Sequence, residues 1–145
     1  MSAAETAERN RHRCAGHWGA LKAKYSMAEI AAISTLYEFA RQHTWSSSGK
    51  AVIRLLLGLY NGTRFQFDLT DLRLLDRQNL HAALDTLRLA GGLTRCEVHD
   101  LLDAIYGDGY STQAEFEHWA FDWKLKGRCT KENLPDRLRI RKLES

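Results

Sequence analysis

The sequence predicts a mainly α fold: a compact five- to six-helix domain with, at most, a small two-stranded ribbon. Three observations predict it. Apolar residues recur at the spacing of a buried helix face in several separate runs. Helix-start signatures of the form S/T-x-x-E stand at Ser26/Glu29, Thr94/Glu97 and Thr112/Glu115. Glycines fall between the periodic runs, and the chain holds a single proline.

The elements follow in order. Residues 3–24 are helix-prone, but Gly16 and Gly19 each weaken a helix interior by about 1 kcal/mol. The first strong helix opens at Ser26, and Ile30, Ile33, Tyr37 and Ala40 form its apolar face. It stops before the polar stretch Trp45–Ser48. A second helix, from about Gly49 to Tyr60, is apolar on almost every side and is expected to be the central element. Asn61-Gly62 is expected to close it in the left-handed cap conformation.

Arg64–Leu69 alternates apolar and polar like a short strand, or serves as an extended linker. Arg137-Leu138-Arg139-Ile140-Arg141 alternates in the same way and is the candidate partner of a ribbon. Thr70–Leu75 reads as one helical turn, and Asp76 as the N-cap of a third helix with Leu80, Leu84 and Leu87 on its face. Gly91-Gly92 ends that helix. Val98, Leu101, Leu102 and Ile105 give the fourth helix its stripe, with Asp100 and Asp103 on the polar side. Phe116, Trp119, Ala120 and Trp123 share a face of the fifth, which Gly127 terminates.

Charge divides the chain into a basic N-terminal segment (1–25), a helical core (26–127) and a basic C-terminal tail (128–145). Residues 1–24 carry a net +3 and residues 124–145 a net +5, while the stretch between carries −5. Basic ends on an acidic body point to an anionic partner, or to ends that fold back on the body. The ordinary 44% hydrophobic and 27% charged content fits one globular domain that needs no disulfide or metal to fold. Three widely spaced cysteines, Cys14, Cys96 and Cys129, read as reduced thiols. No apolar run has the length of a membrane span, and Met1–Ala7 is polar and unlike a secretory signal, so a cytoplasmic location is expected.

The run Gly49–Asp76 contains Leu56-Leu57-Gly58-Leu59-Tyr60-Asn61-Gly62, then Phe67-Asp68-Leu69-Thr70-Asp71-Leu72, then Leu75-Asp76. It resembles a family of small uncharacterised bacterial proteins with an LLxxYNG…FDLTDL…LD core. Glu97-Val98-His99 and the Phe116–Trp123 helix continue the likeness over roughly residues 49–125. The resemblance implies a setting in integrative elements and prophages and supplies no activity.

The chemistry-bearing residues give no enzyme. Nucleophile elbow, Walker loop, H-E-x-x-H and dinucleotide fingerprint are all missing from the sequence. No cofactor and no metal site are assigned. The alternative is a zinc site from Cys14-x-x-His17 with Cys96-x-x-His99, against which Cys96 reads as a small core residue and His99 as a surface or interface residue. Nucleic acid binding would rest on the basic ends, since the helix after Gly91-Gly92 carries Glu97, Asp100 and Asp103 and suits no phosphate. Protein binding takes first place, because Trp18 and Trp45 lie outside strong apolar faces and Trp and Arg are frequent interface anchors. The candidate contact residues are Arg9, Arg11, Arg13, Trp18, Trp45, Lys124, Lys126, Arg128, Arg137, Arg139 and Arg141. The expected function is stoichiometric binding of a host protein or ribonucleoprotein, with an anti-defence inhibitor as one version. An accessory nucleic-acid-binding role through the termini is the alternative.

Overall fold

Ser26 opens a helix as its sequence predicts. Its hydroxyl accepts from the Glu29 N–H at 3.1 Å, and the Glu29 carboxylate accepts from the Ser26 N–H at 3.2 Å. In the computed structural model, which describes residues 23–93, 97–106 and 112–122, this helix is α1 (Met27–Gln42). It is followed by α2 (Ser47–Tyr60), a 3₁₀ segment (Leu69–Leu74), α3 (Arg77–Gly92), α4 (Val98–Tyr106) and α5 (Thr112–Asp122). Among the described residues there is no strand, and the fold is mainly α. No helix among them is long and apolar enough to cross a membrane.

The helix α2 starts two residues before the expected Gly49. Ser46 is its N-cap, accepting from the Gly49 N–H at 2.9 Å while donating to the His43 carbonyl at 3.0 Å. This doubled bond folds the connection tightly, and Gly49 is what permits it: a Cβ there would lie 1.7 Å from the His43 oxygen. Ala51, Val52, Ile53, Leu55, Leu56 and Leu57 are all buried, so α2 is central as its composition requires. It packs on α1, the 3₁₀ segment, α4 and α5.

The face of α3 differs from the leucine stripe read in the sequence. Asn79, Ala82, Ala83, Thr86 and Leu89 face the core, while Leu84 is 47% exposed and Leu80 and Leu87 are half-buried. The reason is volume. The facing helix α1 already supplies Ile30, Ile33 and Leu36, and small residues on α3 let the two axes approach closely. This is the most extensive helix pair among the described elements. The Thr86 hydroxyl is satisfied within its own helix, donating to the Ala82 carbonyl at 2.7 Å. At the end of α3 the Tyr25 ring lies so close that a Cβ on Gly92 would sit 2.2 Å from its hydroxyl.

One alternative is decided and two further expectations change. Residues 65–68 form the extended linker before the 3₁₀ segment and no strand; the candidate partner at 137–141 lies outside the described residues. Asn61 caps α2 with extended backbone, φ −156°, because its side chain has another task described below. Asp100 and Asp103 are not on a solvated side of α4: both are buried, at 1% and 3% exposure. A helical wheel separates polar from apolar faces, but it cannot tell water from a neighbouring helix terminus that supplies N–H donors. Here the donors are protein. Asp100 accepts from the Glu97 N–H at 3.1 Å, and Asp103 accepts from the Thr112 N–H at 2.9 Å.

Candidate functional site

Asn61 shapes the first candidate. Its carbonyl accepts from the Phe65 N–H at 2.9 Å, and its side-chain oxygen accepts from the Arg64 N–H at 3.1 Å. The chain therefore turns back beside the end of α2, burying Phe65 and half-burying Phe67. Asp68 then caps the 3₁₀ segment, accepting from the Thr70 N–H at 2.9 Å and its hydroxyl at 2.8 Å. These hydrogen bonds hold the Asp68 carboxyl below its ordinary pKa.

Between α2, this returning stretch and α3 runs an open groove of about 490 Å³. Leu55, Gly58 and Leu59 form one side, Phe65, Gln66, Phe67 and Leu69 another, and Leu87 of α3 closes it. The lining is uncharged. Gly58 lets the returning stretch lie close against α2: a Cβ there would already touch the Phe67 Cβ, at 3.4 Å. Leu69 is 71% exposed at its edge, and Leu84 continues the apolar surface of α3 outside it. Exposed Arg73 and Arg77 stand on the same two elements that supply Leu69 and Leu87, while Arg88 reaches Glu29 of α1 at 3.2 Å.

The second candidate is a buried polar cluster where α4 and α5 meet α1 and α2. Thr112 opens α5 with its hydroxyl 2.9 Å from both the His99 carbonyl and the Asp103 carboxylate. Asp103, not Glu115, is thus the carboxylate that organises this helix start, and the predicted Thr112/Glu115 capping box gives way to a cap between helices. Glu115 instead approaches Arg41 of α1, Oε1 to Nε 3.6 Å, with both side chains nearly enclosed. The Arg41 guanidinium lies 5.6 Å from the Tyr37 ring centre. Burial, and then the Glu115 charge, push the Tyr37 phenol pKa up.

His99 is buried too, contrary to the surface role expected of it. Its Nε2 is 3.4 Å from Asp100, and its ring meets Tyr60 edge-on at 5.1 Å. Tyr37, Tyr106, Phe116 and Trp119 form the aromatic wall of this region. Toward the surface, Tyr60 donates to Glu117 at 2.8 Å and accepts from Gln113 at 3.2 Å. Burial, then the Glu117 bond, raise the Tyr60 hydroxyl to about 12, so it remains a donor at neutral pH. Arg64 grips both Glu117 oxygens, Nη2 to Oε2 at 3.0 Å. Among the described residues, no group of three or more His, Cys, Asp or Glu is arranged to hold a metal.

Of the contact residues named from sequence, Trp45 stands 85% exposed at the turn between α1 and α2, away from the groove lining. Arg9, Arg11, Arg13, Trp18, Lys124, Lys126, Arg128, Arg137, Arg139 and Arg141 lie outside the described residues, as do Cys14, His17 and Cys96 of the zinc alternative. The groove residues are not among the contacts named from sequence, although Gly58, Leu59, Gly62, Phe67 and Leu69 lie in the run that carries the resemblance. Their signal was Gly58 and Gly62 one helical turn apart, followed by the Phe65/Phe67 alternation.

The sequence profile of a family of unknown function, DUF7673, matches residues 30–124. The chain belongs to this family. No curated protein and no solved structure matches it. The DUF7673 region contains every residue that lines the groove and the whole buried polar cluster. The segments outside it, 1–29 and 125–145, hold most of the basic residues of the two ends.

Proposed function

We propose that this DUF7673 protein is a non-enzymatic binding module whose groove takes an amphipathic helix from a partner protein. The observation that carries this reading is the groove itself: an open, uncharged, apolar channel with Leu69 exposed at its edge. Its volume suits two or three aliphatic side chains in a row, the arrangement a helix presents at i, i+3 or i+4 and i+7. The exposed Arg73 and Arg77 favour an occupant with acidic residues flanking the apolar ones. The acidic excess of the central sequence gives less support to a basic partner, since Asp100, Asp103 and Glu115 are buried. The carboxylates of the polar cluster whose bonds are described serve helix ends and an ion pair, which is a structural use.

Selection of displayed peptides against the full chain tests the reading. Enriched sequences should carry apolar residues at helical spacing with Asp or Glu beside them, and Leu69→Asp should abolish their binding while leaving the fold intact. Enrichment of basic peptides, or binding indifferent to Leu69→Asp, would overturn it. A host target within a mobile-element setting, with inhibition by stoichiometric capture, is the biological form we propose. The accessory nucleic-acid role through the basic ends is favoured by their charge alone, and nuclease-sensitive, salt-sensitive binding would select it.

A further inference from the structure

We infer that Glu117 is a positioning residue for the groove, and that the Tyr60–Arg64–Glu117 network is a strut linking the groove wall to α5. The inference rests on the docking reading only for its consequence; the strut stands on geometry. One carboxylate on α5 receives the Tyr60 hydroxyl from the last residue of α2 and both guanidinium nitrogens of Arg64 from the turn. Arg64 directly precedes Phe65 and Gln66, and its guanidinium lies 4.8 Å from the Phe65 ring centre. Within the turn, two bonds to Asn61 hold the Arg64 and Phe65 amides.

The two ends of the strut therefore straddle Asn61–Thr63, and their spacing sets where Phe65 and Phe67 stand relative to Gly58. Gln113, one turn before Glu117 on α5, donates to Tyr60 and adds a second tether. Since Asp103 and Thr112 fix the start of α5, a shift of that helix is transmitted to the groove wall, and an occupied groove in turn steadies α5.

Amide exchange on the full chain with no peptide present reads the strut directly. In Glu117→Ala, the Arg64 and Phe65 amides should exchange about tenfold faster or more while those of α1 and α3 keep their protection. Glu117→Gln, which keeps an acceptor for Tyr60, should fall between. If Glu117→Ala does not fold, Arg64→Gln carries the same test from the half-exposed side. Unchanged Arg64 and Phe65 exchange, or an even rise across α1 and α3, would overturn the inference. The affinity of a selected peptide should fall with the exchange and recover in part in Glu117→Gln. If no peptide binds even the unaltered chain, the docking reading fails, and the exchange result still decides the strut.

Discussion

Between α1 and α3 the contact is made by alanines and a threonine set against isoleucines and a leucine; between α4 and α5 the bonds are made by Asp103, Thr112 and the His99 carbonyl. The first interface is held by volume and tolerates any side chain of the right size. The second is held by directed bonds in a buried place, where each partner lost leaves another unsatisfied. The difference teaches that a small helical domain can tie two helices together by a capping bond from one to the other as well as by apolar packing. It also separates buried Asp103, which builds the fold, from Leu69 at the groove edge, which the core leaves 71% exposed.

Removing Asp103 breaks the comparison hardest. Asp103→Ala should destabilise the protein by about 3 kcal/mol, because the Thr112 N–H is left buried without its acceptor. The loss should fall first on α4 and α5, so that exchange there and helix content overall cease to change together in denaturant. Asp103→Asn keeps an oxygen acceptor and should cost about half as much. Coincident transitions in Asp103→Ala would show that the two regions are one unit.

Ala83→Leu attacks the other interface. Overpacking against α1 should cost about 2 kcal/mol, seen as a lower midpoint in chemical unfolding. An Ala83→Leu protein of unchanged stability would mean that α1 and α3 are looser than their packing implies. Leu84→Asp is the matched control on the opposite side of α3. It should change stability by no more than about 0.5 kcal/mol, whereas a core leucine there would cost several times that.

The smallest effect concerns pH. The Ser26 N–H, the first cause, and the Ser26 hydroxyl and Arg88 hold the Glu29 carboxyl below its ordinary pKa. A depressed carboxyl contributes stability above its unfolded pKa and loses it as pH falls through its folded value. Acidification below the ordinary glutamate range should therefore fray the start of α1. Glu29→Gln should remove that pH dependence, as read from exchange of the Ser26 and Ile30 amides.

The mainly α fold was legible in the sequence because α1 and α2 carry their information locally. Ser26 with Glu29, the Ile30/Ile33/Tyr37/Ala40 stripe and the apolar run of α2 each need only nearby residues to be understood. The face of α3 was not legible. Two stripes compete there, and the choice of Ala83 and Thr86 over Leu84 depends on the bulk of α1. The polar cluster was misread for a related reason: whether Asp103 meets water or the Thr112 N–H is decided by a helix nine residues away in sequence. The groove left only a faint trace, since glycine spacing records where a side chain is missing and not what fills the space. Trp45, named as a contact for its polar surroundings, stands exposed at the turn between α1 and α2.

The central claim is that partners are met at the α2–α3 groove while the cluster of Asp103 and His99 serves the fold. Mapping amide shifts in the labelled chain as a selected acidic, amphipathic peptide is added tests it most directly. The account predicts that Gly58, Gly62, Gln66, Leu69 and Leu87 move first and furthest. Shifts centred on His99, Asp103 and Thr112, with the groove residues still, would contradict it.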